Sequence, residues 1–158
     1  MLQQGGGCIG LFDYPDTVVP EKSLQEITFL ADLSEVDWAR IKKLVETRHF
    51  RTGDDLIRVG YKDDSFYILT NGEVEVVIGD KVLASIPEGS VFGEISFFDG
   101  APRSATIRSK TPGTAIRITK ETFDTLAAWE PVIARKLLFD LGRILAMRLR
   151  WTTSVSPS

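Results

Sequence analysis

Between His49 and Thr119 the apolar residues come in short runs or alternate with polar ones, which is the period of a strand and not of a helix. Runs at 56–59, 65–69, 73–78 and 82–86 are separated by Gly53-Asp54, Asn71-Gly72 and Gly79-Asp80, pairs suited to tight reversals between antiparallel strands. Runs at 105–108 and 114–119 add two more, and His49 stands where a first strand begins. Together they predict a mainly β fold with flanking α, roughly eight short strands in a jelly-roll-like β-barrel. Outside this region the period lengthens. Leu24, Ile27, Phe29 and Leu30 predict a short helix; Ser34 with Asp37 three residues later marks an N-cap, and Val36, Ile41, Leu44 and Val45 give an apolar face to about Thr47. After the strands, Thr119 caps a short helix to Leu126, and Pro131 opens a long one to about Trp151. Its apolar positions, Leu137, Leu138, Leu141, Ile144, Leu145 and Leu149, are wider than one coiled-coil stripe, so one side is expected on the barrel and another on a second copy, a homodimer through this helix.

Composition sharpens this outline. With 158 residues, 43% hydrophobic and 26% charged, the chain predicts one ordinary globular domain, 23–151, after an irregular arm, 1–22, and before a flexible polar tail, 152–158. A net charge of -3 offers no general attraction to nucleic acid or to an anionic membrane. Arg135, Lys136, Arg143, Arg148 and Arg150 gather on the last helix, which reads as a solvated face. The single cysteine, Cys8, forms no internal disulfide and no thiolate-clustered metal site, and a reducing cytoplasm is the expected compartment. No apolar run reaches membrane-spanning length, and the start lacks the pattern of a signal peptide. His49 is the only histidine, so neither a metal-binding barrel enzyme nor a Ser-His-Asp set is expected: no catalytic residue, metal or cofactor is assigned.

One stretch breaks the alternation: Phe92-Gly93-Glu94-Ile95-Ser96-Phe97-Phe98-Asp99-Gly100-Ala101-Pro102-Arg103-Ser104-Ala105-Thr106. Gly93 lets backbone approach a ligand closely, and 94–98 predicts a helical turn whose first N–H groups lack internal partners, donors that suit a phosphate. Nine residues after Glu94, Arg103 carries a planar guanidinium able to grip a phosphate by two parallel hydrogen bonds. Pro102 stiffens the approach and Ser104 adds a hydroxyl.

These residues resemble the phosphate-binding cassette of cyclic nucleotide-binding domains, the family of catabolite activators, cyclic-nucleotide-dependent kinase regulatory subunits and cyclic-nucleotide-gated channels. The Gly53-Asp54 turn, Asp64-Ser65-Phe66-Tyr67-Ile68-Leu69 and Asn71-Gly72-Glu73-Val74 agree with that family's pattern. The resemblance implies that Arg103 holds the cyclic phosphate and that Glu94 accepts a hydrogen bond from the ribose 2′-hydroxyl. Backbone N–H groups around Gly93, Ile95, Ser96, Ser104 and Ala105 would complete the cradle. Aligned from Pro131, the last helix puts Arg148 and Leu149 at base-facing positions, with Trp151 and Thr152 close behind, and Arg148 is expected as a lid over the purine. Cyclic AMP is the first expected ligand and cyclic GMP the second, since the Ser104 hydroxyl does not separate them. The implied function is a stand-alone sensor that signals to an effector protein through its last helix. A scaffold that keeps the fold without ligand is the alternative.

Overall fold

The computed structural model describes residues 33–155, with side chains to residue 150. The arm at 1–22, Cys8 and the helix expected around Leu24 to Leu30 lie outside the described residues.

The order of elements is α1 (Glu35–Leu44), β1 (Glu46–Phe50), β2 (Asp55–Ile57), β3 (Ser65–Asn71), β4 (Val74–Ile78), β5 (Lys81–Ile86), β6 (Val91–Phe92), α2 (Glu94–Asp99), β7 (Thr106–Ser109), β8 (Gly113–Thr119), α3 (Lys120–Trp129) and α4 (Pro131–Val155). The capping box forms at α1, where the Asp37 N–H donates to Ser34 Oγ and the Ser34 N–H to Asp37 Oδ2, both at 3.2 Å. Chain direction changes sooner than the apolar face suggests. Val45 is extended, and β1 begins at Glu46, before His49; Leu44 packs on the core from the last position of α1 and Val45 from the extended residue after it.

The eight strands form two antiparallel four-stranded sheets, ordered β1-β8-β3-β6 and β2-β7-β4-β5. Among the described residues their hydrogen bonding does not join the sheets into one closed cylinder; the pair stacks face to face as a sandwich. Gly79-Asp80 closes a true hairpin between β4 and β5. The other two turn pairs are corners, not hairpins: Gly53-Asp54 carries the chain from β1 in one sheet to β2 in the other, and Asn71-Gly72 takes it from β3 across to β4. Gly72 has φ 96, and a Cβ there would lie 2.8 Å from the Pro112 carbonyl oxygen, so the corner is both left-handed and tight.

Pleating sends alternate residues of the first sheet into two different cores. Tyr67, Leu69, Phe92 and Ala115 point between the sheets to meet Leu56, Ile57, Val74, Val76, Ile86 and Ile107. Phe66, Ile68, Val91, Ile116 and Ile118 point outward, to Ile41 of α1, Phe97 of α2, Leu126 of α3 and Ile133, Leu137, Leu141 and Ile144 of α4. Five successive β3 residues from Ser65 are therefore buried. On α4 the buried stripe Ile133, Leu137, Leu141, Ile144 continues at helical spacing to Arg148, while Leu138, Phe139 and Leu149 stay exposed. Among the described residues no helix is long and apolar enough to cross a membrane.

Candidate functional site

β6 ends at Phe92 and the chain turns at once into α2 through Gly93, whose φ of 81 is left-handed. The first helical bond runs from the Phe97 N–H to the Gly93 carbonyl at 3.4 Å, so the amides of Glu94, Ile95 and Ser96 lie ahead of it. Gly100, also left-handed, closes α2 with its N–H on the Ser96 carbonyl at 2.9 Å. The return segment is then zipped to the β2–β3 loop. Gly60 donates to the Arg103 carbonyl (2.8 Å), Arg103 donates back to the Tyr61 carbonyl (2.9 Å), and the Val59 N–H reaches Thr106 Oγ1 (3.2 Å).

This fixes the Arg103 backbone, and its side chain is fixed as well. The guanidinium is buried, with Nη1 donating to the Gly93 carbonyl (2.7 Å) and Nη2 to the Ser65 carbonyl (2.5 Å), to Ser65 Oγ (3.2 Å) and to Asp63 Oδ2 (3.2 Å). Gly93 and Arg103 are mutually required. A Cβ at Gly93 would stand 2.9 Å from Arg103 Nη1 and 3.0 Å from Ile57 Cδ1. Gly93→Ala is thus expected to cost about 1 to 3 kcal/mol of stability from the left-handed backbone and to push Arg103 out of register. A thermal melt indistinguishable from that of the parent would contradict this.

Glu94, in the first turn of α2, is fully buried. Its Oε2 receives a hydrogen bond from Arg148 Nη1, and Arg148 Nη2 donates to the Val91 carbonyl at 3.0 Å. The last turns of α4 are thereby tied to the cassette and to β6. Ser96, Arg103 and Ala105 are buried around Glu94, Ile95 and Ser104 are partly covered, and the Ser104 hydroxyl is a buried group without a partner among the described residues. A cleft of about 240 Å³ opens beside Arg103, lined in part by Ile57, Arg58, Tyr61 and Asp63.

The structure brings Gly93, Glu94, Ile95, Ser96, Arg103, Ser104 and Ala105 to one corner of the sandwich and adds Arg148 to it. Leu149 is on the exposed side of α4, 43% accessible. Trp151 and Thr152 continue the α4 backbone, but their side chains lie outside the described residues.

Two further residues, Asp63 and Arg117, are not singled out by the sequence. Asp63 Oδ1 accepts from Ser65 Oγ (2.8 Å) and from Arg117 Nη2 (3.0 Å), so this carboxylate is shared between Arg103 and Arg117. Burial pushes the Asp63 carboxyl up, but the Ser65 hydroxyl and the Arg103 and Arg117 guanidiniums outweigh it and hold it below the usual aspartate value. A signal for Arg117 does exist: it breaks the run Ala115, Ile116, Ile118 on the face that looks between the sheets, where a charge requires partners.

Comparison with known proteins now decides the family. Residues 47–128 match the model of the cyclic nucleotide-binding domain, which covers the sandwich, the cassette and most of α3. The chain belongs to the cyclic nucleotide-binding domain family. It is 31% identical over 108 residues to a cAMP-dependent protein kinase regulatory subunit of Emericella nidulans, covering 67% of this chain and 26% of that protein. It is also 31% identical over 108 residues to a cGMP-dependent protein kinase of Plasmodium berghei, covering 68% of this chain and 13% of that one. The chain thus spans about a quarter or less of these curated relatives. Among solved structures, a cyclic nucleotide-binding domain from Methylobacillus flagellatus has the same fold, with a TM-score of 0.70 at 23% identity over 85% of this chain and 79% of that one.

Proposed function

We propose that this cyclic nucleotide-binding domain is a sensor for a 3′,5′-cyclic nucleotide, cyclic AMP before cyclic GMP, that reports occupancy to an effector protein through its last helix. It is not an enzyme in this reading: the ligand is held, not cleaved. Arg103 takes the cyclic phosphate, Glu94 the ribose 2′-hydroxyl, and the amides from Gly93 to Ser96 and at Ser104 and Ala105 complete the cradle. The relatives named above, one cAMP-dependent and one cGMP-dependent, support both ligands.

The observation that carries the reading is the hydrogen bond from Arg148 of α4 to Glu94. The carboxylate assigned to the ribose is sealed by a side chain of the helix assigned to signalling. Nucleotide and helix therefore meet at one group, and any ligand that reaches Glu94 must change what Arg148 does. Such a ligand has different affinities for the two positions of α4, which is the condition for shifting their populations. Arg148 then serves as the lid, with Leu149, Trp151 and Thr152 near the base, once released from its present bond.

A second reading, a dimerising scaffold, is favoured by one observation. Val132, Leu138, Phe139 and Leu149 leave α4 with an exposed apolar side, which in the sensor too would pair with a second copy in a cytoplasmic homodimer.

Calorimetric titration of the purified, nucleotide-stripped protein with cyclic AMP and with cyclic GMP tests the choice. Micromolar or tighter binding of either, with a measurable preference, supports the sensor. Absence of heat with both nucleotides would leave the scaffold.

A further inference from the structure

Glu94 and Arg103, the side chains assigned to the ribose and the phosphate, are 0% and 2% exposed, so the arrangement described above is a shut one. The cleft of about 240 Å³ beside Arg103 does not open it, because Glu94 does not line that cleft. Over Glu94 lies the distal part of α4. Arg148, itself 8% exposed, donates through Nη1 to Glu94 Oε2 and through Nη2 to the Val91 carbonyl at 3.0 Å. A ligand hydroxyl that is to reach this carboxylate has to displace the guanidinium first.

α4 is not held evenly along its length. As far as Leu141 it is anchored by the buried side chains Ile133, Ala134, Leu137 and Leu141. From residue 142 to residue 150 the buried side chains are Ile144 and Arg148. Between the two halves stands Gly142, exposed, where an added Cβ would meet nothing within 4 Å. Packing in this chain therefore makes no demand for glycine at that position, whereas glycine in a helix interior weakens the helix relative to alanine. The weak point falls where the dense anchorage ends. Beyond it the principal polar hold is a buried ion pair, which returns much of its attraction as lost hydration. Such a pair closes the site without welding it.

Resting on the reading of Glu94 and Arg103 as ligand groups, we propose that α4 beyond Leu141 is a gate, hinged at Gly142 and latched by Arg148 on Glu94, and that cyclic nucleotide enters only while the gate is open. The latch is autoinhibitory, since it competes with the ribose hydroxyl for one carboxylate. Association is then slowed in proportion to the fraction of molecules that are open. Loosening the latch raises that fraction and stiffening the hinge lowers it, so the two changes act on entry in opposite directions.

The test is stopped-flow mixing of the whole chain with fluorescent analogues of cyclic AMP and of cyclic GMP, reading the association rate constant, with a thermal melt of every variant. Gly142→Ala is expected to melt higher than the parent and to associate about two- to fivefold more slowly, the upper figure being the full difference in helix propensity between the two residues. Arg148→Ala is expected to melt lower and to associate at least about tenfold faster, because the carboxylate it leaves buried drives the gate open. A purely structural role for both residues predicts that the melts shift while the association rates stay with the parent's. That result overturns the gate and leaves the sensor intact. Should Arg148→Ala not fold, Gly142→Ala decides alone: association at the parent's rate overturns the proposal. A parent that binds neither analogue overturns the sensor and this proposal together.

Discussion

Arg103→Ala is expected to abolish measurable cyclic nucleotide binding. Truncating one partner of a buried, hydrogen-bonded charge pair costs roughly 2 to 5 kcal/mol, or about 30-fold to several thousandfold in affinity. The upper part of that range applies here. The guanidinium is pinned by the Gly93 and Ser65 carbonyls and by Asp63, so no rotamer search precedes binding, and the deletion removes a group already in place. It also leaves Asp63 as an anion beside the proposed phosphate site. Arg103→Lys separates the two losses: charge is kept, but an ammonium reproduces neither the planar fork nor all four bonds made by the guanidinium, and intermediate affinity follows. Calorimetric titration of folded variants measures both. Near-parent affinity in Arg103→Ala would remove this residue from the ligand's phosphate.

The second large effect belongs to Arg148. Arg148→Ala takes the guanidinium away from a carboxylate that is completely buried, and breaking a buried pair from one side is expected to cost about 3 kcal/mol. In a domain of this size that corresponds to a fall of roughly 6 to 12 °C in melting temperature. Glu94→Gln keeps an oxygen that accepts from Arg148 but removes the Glu94 charge opposite that buried guanidinium, so it too is expected to lower the melting temperature. Coupling should fail in both. In the parent, saturating cyclic nucleotide is expected to alter hydrogen-exchange protection along the last turns of α4; in Arg148→Ala the ligand no longer alters it. An unchanged melt would show that the pair carries little energy, and a preserved exchange response would show that coupling runs by another route.

What the sequence announced and what it withheld follow from how local each signal is. The segment carrying Gly93, Glu94 and Arg103 stands out in the sequence because it is one continuous stretch whose conformational demands are local. Strands were legible from alternation, yet a Gly-Asp or Asn-Gly pair reports only that the chain reverses. Whether it returns along the same sheet, as at Gly79-Asp80, or crosses to the other, as at Asn71-Gly72, is decided by distant packing such as Pro112 against Gly72. β6 has two residues, too few to carry a period. Asp63 and Arg117 are separated by 54 positions and become a pair only when β3 and β8 align. Arg148 was legible in part: it occupies the fifth position of a stripe otherwise made of Ile133, Leu137, Leu141 and Ile144, and a cation on such a stripe requires a buried acceptor somewhere. Which acceptor it was, the helix alone did not reveal.

β3 alternates its side chains between the space inside the sandwich and the space under the helices, and β8, paired along its length, does the same. The two hydrophobic compartments are thus not separable layers but opposite sides of one wall. Losing the wall exposes both at once. Unfolding that takes β3 or β8 out of the wall accordingly has no natural halfway point, and the sandwich and the core beneath the helices are expected to melt as one cooperative unit.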